Sequence, residues 1–208
     1  MTPRGDVRTE AILAAALQVL AEVGYDRLTM EAVAARAQAS KATLYRRWPG
    51  KAELVVSAVR AHGGDGDGAL VPRETGELRG DLVAVLERMR ANLEAQDAAL
   101  LLGLVAAMHR DPVLAETVRD RLVADKGAAF GTVVERAVRR GDVAADVDTA
   151  LFVELSSAML FSRLFVTGEP LDAAFVRHLV DAVLIPLLTG GRPAAGPPAG
   201  RPTTQGDL

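Results

Sequence analysis

The sequence has no cysteine and few aromatic residues. Without a cysteine among 208 residues, it offers no disulfide, no thiolate-bound metal or iron–sulfur cluster and no cysteine nucleophile. Aromatic residues make up 4% of the chain, which is low for the core of a β-sandwich or β-barrel. Hydrophobic residues at 50% and charged residues at 25% are typical of a globular protein with its own core.

The sequence also lacks an apolar leader and an uncharged membrane span. Charged residues occupy every second position from Arg4 to Glu10, so we expect no signal peptide. The most apolar stretch, residues 147–168, is interrupted by Asp148, Glu154 and Arg163, which a spanning helix would rarely tolerate. We therefore expect a cytoplasmic protein that does not enter a membrane.

The formal charge of −3 is unevenly distributed. Residues 1–60 contain nine basic and six acidic residues, so this segment carries +3 and the remainder −6. No acidic residue occurs between Ala32 and Ala52, where the basic residues are Arg36, Lys41, Arg46, Arg47 and Lys51. A basic surface on an otherwise acidic protein is typical of a face that meets phosphate groups. The alternative is an ordinary solvent-exposed helix face, which would have the same composition.

Apolar residues recur at helical spacing along most of the chain, which predicts an all-α fold of about nine helices. Gly24 is the predicted end of the first helix, and Thr29 and Ser40 are the predicted N-caps of two short helices. The predicted helices cover residues 9–23, 29–37 and 40–47 (caps included), a fourth from 51 onward, 77–94, 97–108, 112–140 with a bend near Gly127 or Gly131, 147–167 and 172–188.

The second and third helices, joined by a turn of three or four residues, have the size and spacing of a helix-turn-helix. In that motif the second helix enters the major groove of DNA, and its first residues face the base edges. Lysine and arginine donate to guanine, whereas threonine contacts a thymine methyl group or a base edge. The predicted residues on the groove-facing side are Lys41, Ala42, Thr43 and Arg46, and Ser40 at the start of the helix is also predicted to bind DNA.

Two segments, LTMEAVAARA at residues 28–37 and SKATLYRRWPGKAEL at residues 40–54, combine several specific features. These are Thr29, a Thr-Leu-Tyr core ending at Tyr45, an aromatic residue three positions later, and Lys51 opening the fourth helix. The combination resembles the DNA-binding signature of the TetR family of bacterial transcriptional regulators over about residues 8–60. The resemblance implies that Thr29, Tyr45 and Lys51 contact DNA phosphates, which set the register on the duplex but do not read its sequence. Tyr45 as a packing residue and Thr29 as a cap alone are the alternatives.

Two positions depart from the family pattern. Gln38 stands in the turn where the family generally has glycine, so a strained or different turn is expected there. Trp48 stands where phenylalanine is commoner, which is a larger but still apolar plug. Arg4 and Arg8 lie where family members often have a basic arm near the DNA backbone.

The chain divides into a helix-turn-helix DNA-binding domain at residues 1–61, a linker at about 62–75 and a helical effector-binding and dimerisation domain at 76–189. Residues 190–208 are rich in proline and glycine and are predicted to form a disordered tail. The Asp-Gly alternation within residues 62–68 lacks the spacing of a calcium-binding loop.

The last two predicted helices are apolar around most of their circumference, which requires burial on more than one side. The resemblance implies that one side packs on its own domain and the other on a second copy; a larger monomeric core is the alternative. A homodimer would present two recognition helices about 34–36 Å apart to a palindromic operator on double-stranded DNA. The predicted dimer-interface residues are Leu151, Leu155, Met159, Phe175, Leu179, Val183 and Leu187.

The resemblance also implies a small hydrophobic effector among the middle helices, in a mostly apolar site. The predicted lining residues are Met89, Leu93, Leu101, Leu104, Met108, His109, Phe130, Phe152, Ser156 and Met159. These residues could equally be plain core, and His109 could interact with the end of its helix. Bound effector would favour a conformer that no longer fits the groove spacing, so repression would be relieved.

Two alternatives remain open on sequence alone: a DNA-binding regulator without an effector, and a helical enzyme. The enzyme is disfavoured because His62, His109 and His178 lie far apart in sequence and no glycine-rich phosphate loop is present. We predict no catalytic residue, no cofactor and no metal site.

Overall fold

The computed structural model describes residues 4–63 and 74–190, with side chains from residue 7 onward. Within these ranges the chain folds into nine helices without a strand, as predicted. The helices are α1 (Arg4–Arg27), α2 (Met30–Arg36), α3 (Lys41–Arg47), α4 (Lys51–His62), α5 (Leu78–Glu94), α6 (Ala98–Met108), α7 (Pro112–Arg140), α8 (Thr149–Thr167) and α9 (residues 173–188). Most of the predicted linker (residues 64–73), the predicted tail after Gly190 and the side chain of Arg4 lie outside the described residues.

The first helix begins earlier than predicted, at Arg4, and is interrupted at the glycine that was expected to end it. Gly24 has φ 73° and ψ 169°, a backbone conformation open to glycine because it has no Cβ. The chain then makes one further turn, which ends at Arg27. Gly24 therefore redirects the chain toward α2, as its position in the sequence indicated.

Side-chain caps fix where most of the helices start. Thr29 Oγ1 accepts from the Ala32 backbone N–H at 3.1 Å, and Ser40 Oγ accepts from the Thr43 N–H at 3.2 Å. Both residues are the predicted caps, and each such bond stabilises a helix by about 1 kcal/mol. The last four helices use aspartate in the same position, namely Asp97, Asp111, Asp148 and Asp172.

Three helices contain a five-residue π-helical segment: Arg119–Val123 in α7, Arg163–Thr167 at the end of α8 and Val180–Leu184 in α9. The prediction of a bend in α7 near Gly127 or Gly131 was wrong about the place. Both glycines lie in regular helix, where an added Cβ would meet no heavy atom within 4 Å. The irregularity lies earlier, where a residue-by-residue propensity gives no sign of it.

The buried side chains form two hydrophobic clusters. The first joins α1–α4 to the inner face of α6 and the start of α7, through Leu101, Leu104, Ala107, Leu114 and Val118. The second joins α5, the later part of α7, α8 and α9 around the fully buried Phe130. The helix-turn-helix unit therefore shares its core with the helices that follow it.

Within the described ranges, one helix, Thr149–Thr167, is long and apolar enough by length and composition to cross a membrane. It packs in the second cluster through Phe152, Val153 and Leu160. Only 22% of its most apolar stretch is buried within the subunit. Among its large apolar side chains, Leu151 and Val166 are exposed, and the others are buried or half-buried.

Candidate nucleic-acid interface and cavity

The turn between α2 and α3 depends on Gln38, whose φ of 49° is the only positive value at a non-glycine residue in the described chain. Its N–H donates to the Ala35 carbonyl at 3.2 Å, and the Ala39 N–H donates to the Ala34 carbonyl at 2.9 Å. This pair of bonds is the Schellman motif, which normally places glycine at the left-handed position. The expectation of a strained turn at Gln38 is confirmed, and the bonds fix the direction in which α3 leaves.

The third helix buries one side and exposes the other. Leu44 is fully buried, and Trp48 closes the core directly after the helix. The opposite side comprises Lys41, Ala42, Tyr45 and Arg46, which are all exposed and lie within about one half of the helix circumference. Tyr45 is 48% exposed, so it does not serve as a packing residue. This surface, here called the α3 face, contains four of the residues predicted to meet DNA.

The polar groups beside the α3 face are already paired with one another. Lys41 Nζ lies 2.8 Å from Glu31 Oε1 across the turn, and the Lys41 ammonium lowers the pKa of the Glu31 carboxyl. Ser40 Oγ lies 2.8 Å from Thr43 Oγ1. To contact a base edge, the Lys41 ammonium must therefore either break its ion pair with Glu31 or keep Glu31 as a second partner.

Lys51 is held at the start of α4 by Tyr25. Its Nζ donates to the Tyr25 carbonyl at 3.3 Å and lies 4.2 Å from the centre of the Tyr25 ring. A lysine ammonium over an aromatic face is attracted by the ring electrons. The arrangement presents a cation at the helix start while restricting where the long side chain can go.

Tyr25 also connects this corner to the following helices. Its hydroxyl donates to Asp111 Oδ2 at 2.9 Å, and Asp111 caps α7. Burial, and then the hydrogen bond to Asp111, raise the pKa of the Tyr25 phenol. The N–H of Leu114 is the largest cause that lowers the pKa of Asp111, with the Tyr25 hydroxyl adding to it. Next to this pair, Arg110 Nη2 lies 2.6 Å from Asp26 Oδ2.

Two further basic residues flank the interface. Arg47 Nη1 donates to Thr9 Oγ1 at 2.7 Å and so ties the end of α3 to α1. Arg8 is exposed on α1. Arg36 is paired with Glu22 on the first helix, which agrees with a surface role for that residue.

A cavity of about 280 Å³ lies between α4, α5, α6, α7 and α8. We call it the α4 cavity because Val59 and Arg60 of that helix line it. Its walls are mostly apolar, and five of the residues predicted to line an effector site lie there: Met89, Leu93, Leu101, Leu104 and Met108.

The other five predicted lining residues do not border this cavity. Phe130, Phe152, Ser156 and Met159 belong to the second hydrophobic cluster or are buried within it. His109 is exposed at the end of α6, where its Nδ1 lies 3.1 Å from the Val105 carbonyl. This is the helix-end position that the sequence left open as an alternative for His109.

Sequence reasoning missed the polar lining residues of the α4 cavity. Gln96 follows α5, and Arg60 and Asp125 form an ion pair of 2.8 Å at the lining. None of the three belongs to a motif or an apolar stripe. Only tertiary packing brings residues of α4, of α7 and of the segment after α5 into one lining, so no local signal could have identified them.

A second depression, of about 960 Å³, lies between the start of α5, the connection from α7 to α8 and the end of α9. It contains none of the predicted effector residues and does not touch the helix-turn-helix unit. Among residues 4–63 and 74–190, no group of three or more His, Cys, Asp or Glu side chains could hold a metal ion.

Comparison with known proteins identifies the family. Residues 12–58 match the family described as bacterial regulatory proteins, tetR family, and residues 72–183 match the tetracyclin repressor-like C-terminal domain. The chain belongs to the TetR family of bacterial regulatory proteins. It is therefore a DNA-binding transcriptional regulator.

Relatives of this TetR family chain align over most of its length. A protein of Mycobacteroides abscessus described as DNA-binding transcriptional repressor TetR is 44% identical over 192 residues, covering 92% of this chain and 99% of the relative. An uncharacterised HTH-type transcriptional regulator of Mycobacterium tuberculosis is 36% identical over 186 residues, covering 88% of each. The crystal structure of the TetR family transcription regulator SCO0332 superposes with a TM-score of 0.63 at 29% identity, covering 90% of this chain and 98% of that one.

The residues predicted for a TetR family dimer interface are divided between surface and core. Leu151 and Leu187 are 54% and 52% exposed, while Leu155, Met159 and Val183 are half-buried. Phe175 and Leu179 are buried inside their own subunit, because they lie on the side of α9 that packs against α5. Phe175 and Leu179 therefore pack beneath the exposed side chains of α8 and α9 and are not part of the subunit's surface.

Proposed function

We propose that the chain is a homodimeric transcriptional repressor that binds a palindromic operator and releases it when a small hydrophobic effector fills the α4 cavity. The observation that carries the DNA-binding part is the α3 face, exposed and capped beside the fixed ammonium of Lys51. The description of the M. abscessus relative as a repressor supports repression in place of activation.

The residues divide into two roles on DNA. Lys41 and Arg46 are assigned to guanine acceptors, and Thr43, with Ser40 and Ala42 beside it, to neighbouring base edges. Thr29, Tyr45 and Lys51 are assigned to phosphates. The exposure of Tyr45 and the fixed position of Lys51 support these assignments, because phosphate contacts need groups held at a defined place on the surface.

The dimer is supported by exposed apolar side chains on the last two helices, Leu151 and Val166 on α8 and Leu187 on α9. Large exposed apolar patches mark interaction surfaces. A two-fold pair built on α8 and α9 would bury these side chains in a four-helix contact. It would also set the separation of the two α3 faces that a palindromic site requires.

The α4 cavity supports effector control because the same helix borders the cavity and begins at the DNA-binding corner. Val59 and Arg60 line the cavity, and Lys51 opens the helix. An effector that fits only a displaced α4 would shift the population toward a conformer with lower operator affinity. By linkage, operator DNA would weaken effector binding by the same factor.

The DNA-binding assignments are tested by selecting DNA fragments with the purified protein and measuring binding of three variants to the selected site. We expect Lys41→Ala to change the preference at one base position by about 1–3 kcal/mol. We expect Lys51→Ala to weaken all sequences alike and to reduce the slope of log affinity against log salt by about 1.

Arg36→Ala is the matched control, since Arg36 is paired with Glu22 and is not assigned to DNA. It should leave sequence preference and salt slope unchanged. The roles of Lys41 and Lys51 are reversed if Lys41→Ala acts uniformly and Lys51→Ala alters the preferred sequence. Operator release by any compound in a library of lipophilic metabolites supports effector control, whereas full operator binding in the presence of all of them favours a regulator without an effector.

A further inference from the structure

We infer that Glu31 is a specificity-determining residue for DNA, because its carboxylate keeps the Lys41 ammonium from binding phosphates and leaves it able to donate to uncharged base edges. The inference rests on the proposed function, in which Lys41 meets guanine. It goes further by giving a function on DNA to an acidic residue, whose charge alone would oppose binding.

Glu31 is placed directly beside the amino end of the α3 face. It lies in the first turn of α2, and Lys41 is the first residue of α3. Glu31 Oε1 lies 2.8 Å from Lys41 Nζ. Residues 30–47 contain no other acidic residue, whereas their basic residues are Arg36, Lys41, Arg46 and Arg47. Glu31 therefore introduces a negative charge into a segment that is otherwise basic.

The ion pair contributes little to the stability of the fold. The side chains of Lys41 and Glu31 are 59% and 52% exposed, and pairs this open to water are worth a small free energy at most. The hydrogen bond from Lys41, and then the backbone N–H of Glu31 itself, lower the pKa of the Glu31 carboxyl. The carboxylate is therefore ionised at neutral pH, and its main effect is on where the ammonium can bind.

The pair responds differently to a phosphate and to a base edge. A lysine ammonium carries more than one N–H donor, so Lys41 can keep Glu31 and also donate to guanine O6 or N7. Guanine is uncharged and is not repelled by the carboxylate. A phosphate is an anion, and next to a shared ammonium its repulsion from Glu31 offsets its attraction to Lys41. The paired ammonium therefore favours a base edge over the DNA backbone.

This preference affects the difference in affinity between the operator and other DNA. Binding to DNA of any sequence comes mainly from phosphates that lysine and arginine neutralise. Glu31 cancels one of these charges on every sequence, while the base contact of Lys41 on the operator is kept. Specificity is a ratio of affinities, and a repulsive element against the wrong partner raises it.

The test measures the affinity of the full chain for two duplexes at several salt concentrations. These are the selected operator and a duplex with the same bases in scrambled order. Glu31→Gln keeps the length of the side chain and removes its charge. We expect this variant to bind the scrambled duplex about fivefold more tightly, and the slope of log affinity against log salt to steepen there by about 0.9, as for one added phosphate contact. Operator affinity should change less, so the ratio of the two affinities should fall.

Glu22→Gln is the matched control. The Glu22 side chain is 54% exposed and is paired with Arg36, which is not assigned to DNA, and the variant loses the same charge from the same recognition unit. It should leave the salt slope and the ratio of affinities unchanged. An equal effect of the two changes would show that net charge alone is responsible and would overturn the inference.

The Lys41→Ala background tests whether Glu31 acts through Lys41. There, Glu31→Gln should not steepen the salt slope, because no ammonium is released. A steeper slope in that background would mean that Glu31 repels DNA directly, which overturns its action through Lys41. An unchanged slope in Glu31→Gln alone would overturn the inference and leave the assignment of Lys41 standing. Failure of the proposed function is distinct, since Lys41→Ala would then leave the preferred sequence unchanged, and it would remove the inference with it.

Discussion

Gln38 holds a backbone conformation that costs a residue with a Cβ about 1–2 kcal/mol. Glycine adopts it freely but loses about 0.5–1 kcal/mol through its greater freedom in the unfolded chain. We therefore expect Gln38→Gly to raise the free energy of unfolding by roughly 0.5–1 kcal/mol, measured by urea denaturation. Ala39→Gly, one position later and without a positive φ, is the control and should lower stability. Equal destabilisation by both changes would show that Gln38 is not strained.

Ser156 is a second residue whose side chain does not suit its surroundings, because a polar hydroxyl lies in an apolar environment. Its hydroxyl is fully buried and has no hydrogen-bond partner, and alanine is the better helix former. We expect Ser156→Ala to raise the free energy of unfolding by about 1 kcal/mol, whereas Ser162→Ala on the same helix should change it by less. A loss of stability in Ser156→Ala would mean that a buried water satisfies the hydroxyl.

At the residue scale, local sequence rules were informative wherever the chemistry is local. Thr29 and Ser40 were predicted as caps because a cap needs only its own side chain and an N–H two or three residues ahead. Gln38 was flagged because a turn requires a particular φ. Gln96 gave no signal, because its significance comes from a bond to Val59, 37 residues earlier.

Asp111, between α6 and α7, links α7 to the end of α1. Its carboxylate accepts a hydrogen bond from the Tyr25 hydroxyl and also caps α7. Its folded pKa is lowered, so the stability it contributes is present above its unfolded pKa of about 3.9 and is lost as the pH falls through the lower, folded value. We expect the unaltered chain to be more stable than Asp111→Asn at pH 7, and this advantage to vanish in strong acid.

Tyr25→Phe separates the two parts of this effect. It removes the phenol hydrogen bond but leaves the Leu114 N–H, the largest cause of the shift. The acid-dependent loss of stability should therefore shrink but persist in this variant, as measured by denaturation at several pH values. An Asp111→Asn variant that loses stability in acid as steeply as the unaltered chain would remove Asp111 from this account.

At the element scale, the helices were predicted well and their irregularities poorly. Apolar periodicity and the predicted caps Thr29 and Ser40 gave the order and nearly all the boundaries of α2–α9. The π-helical turn at Arg119–Val123 was missed, because residue types there are ordinary and glycine drew attention to the wrong part of α7. The early start at Arg4 was missed because polar residues at the amino end carry no periodic pattern.

The proposed dimer makes a prediction for the whole molecule. The double change Leu151→Glu and Leu187→Glu places carboxylates on the exposed outer face of α8 and α9. We expect this variant to sediment as a single subunit and to bind the operator at least about 100-fold more weakly, because the second half-site contact is lost.

Val113→Glu is the control, since Val113 is also exposed but lies at the start of α7, away from that face. It should leave both the sedimentation coefficient and operator affinity unchanged. A double variant that remains a dimer would move the interface to another surface. Circular dichroism would establish that all three chains keep their helices.

At the scale of the whole molecule, the sequence indicated two domains, with a boundary near residue 61. That division stays a prediction. The structure adds that α1–α4 share one hydrophobic cluster with α6 and the start of α7. This could not be predicted, because the joining residues, such as Leu104 and Leu114, look like ordinary core positions of their own helices. Which neighbour a helix buries its face against is decided by topology, and a single sequence does not display it.

That shared cluster limits how such regulators can be recombined. A fragment cut after α4 would leave bare the apolar side that normally meets Leu104 and Leu114, and a chimaera that grafts this recognition unit onto a foreign sensor would inherit the same mismatch. Successful grafts should carry the matching side chains of α6 and early α7 along with the first four helices. The DNA-binding helices are therefore transferable only together with the parts of α6 and α7 that complete their hydrophobic core.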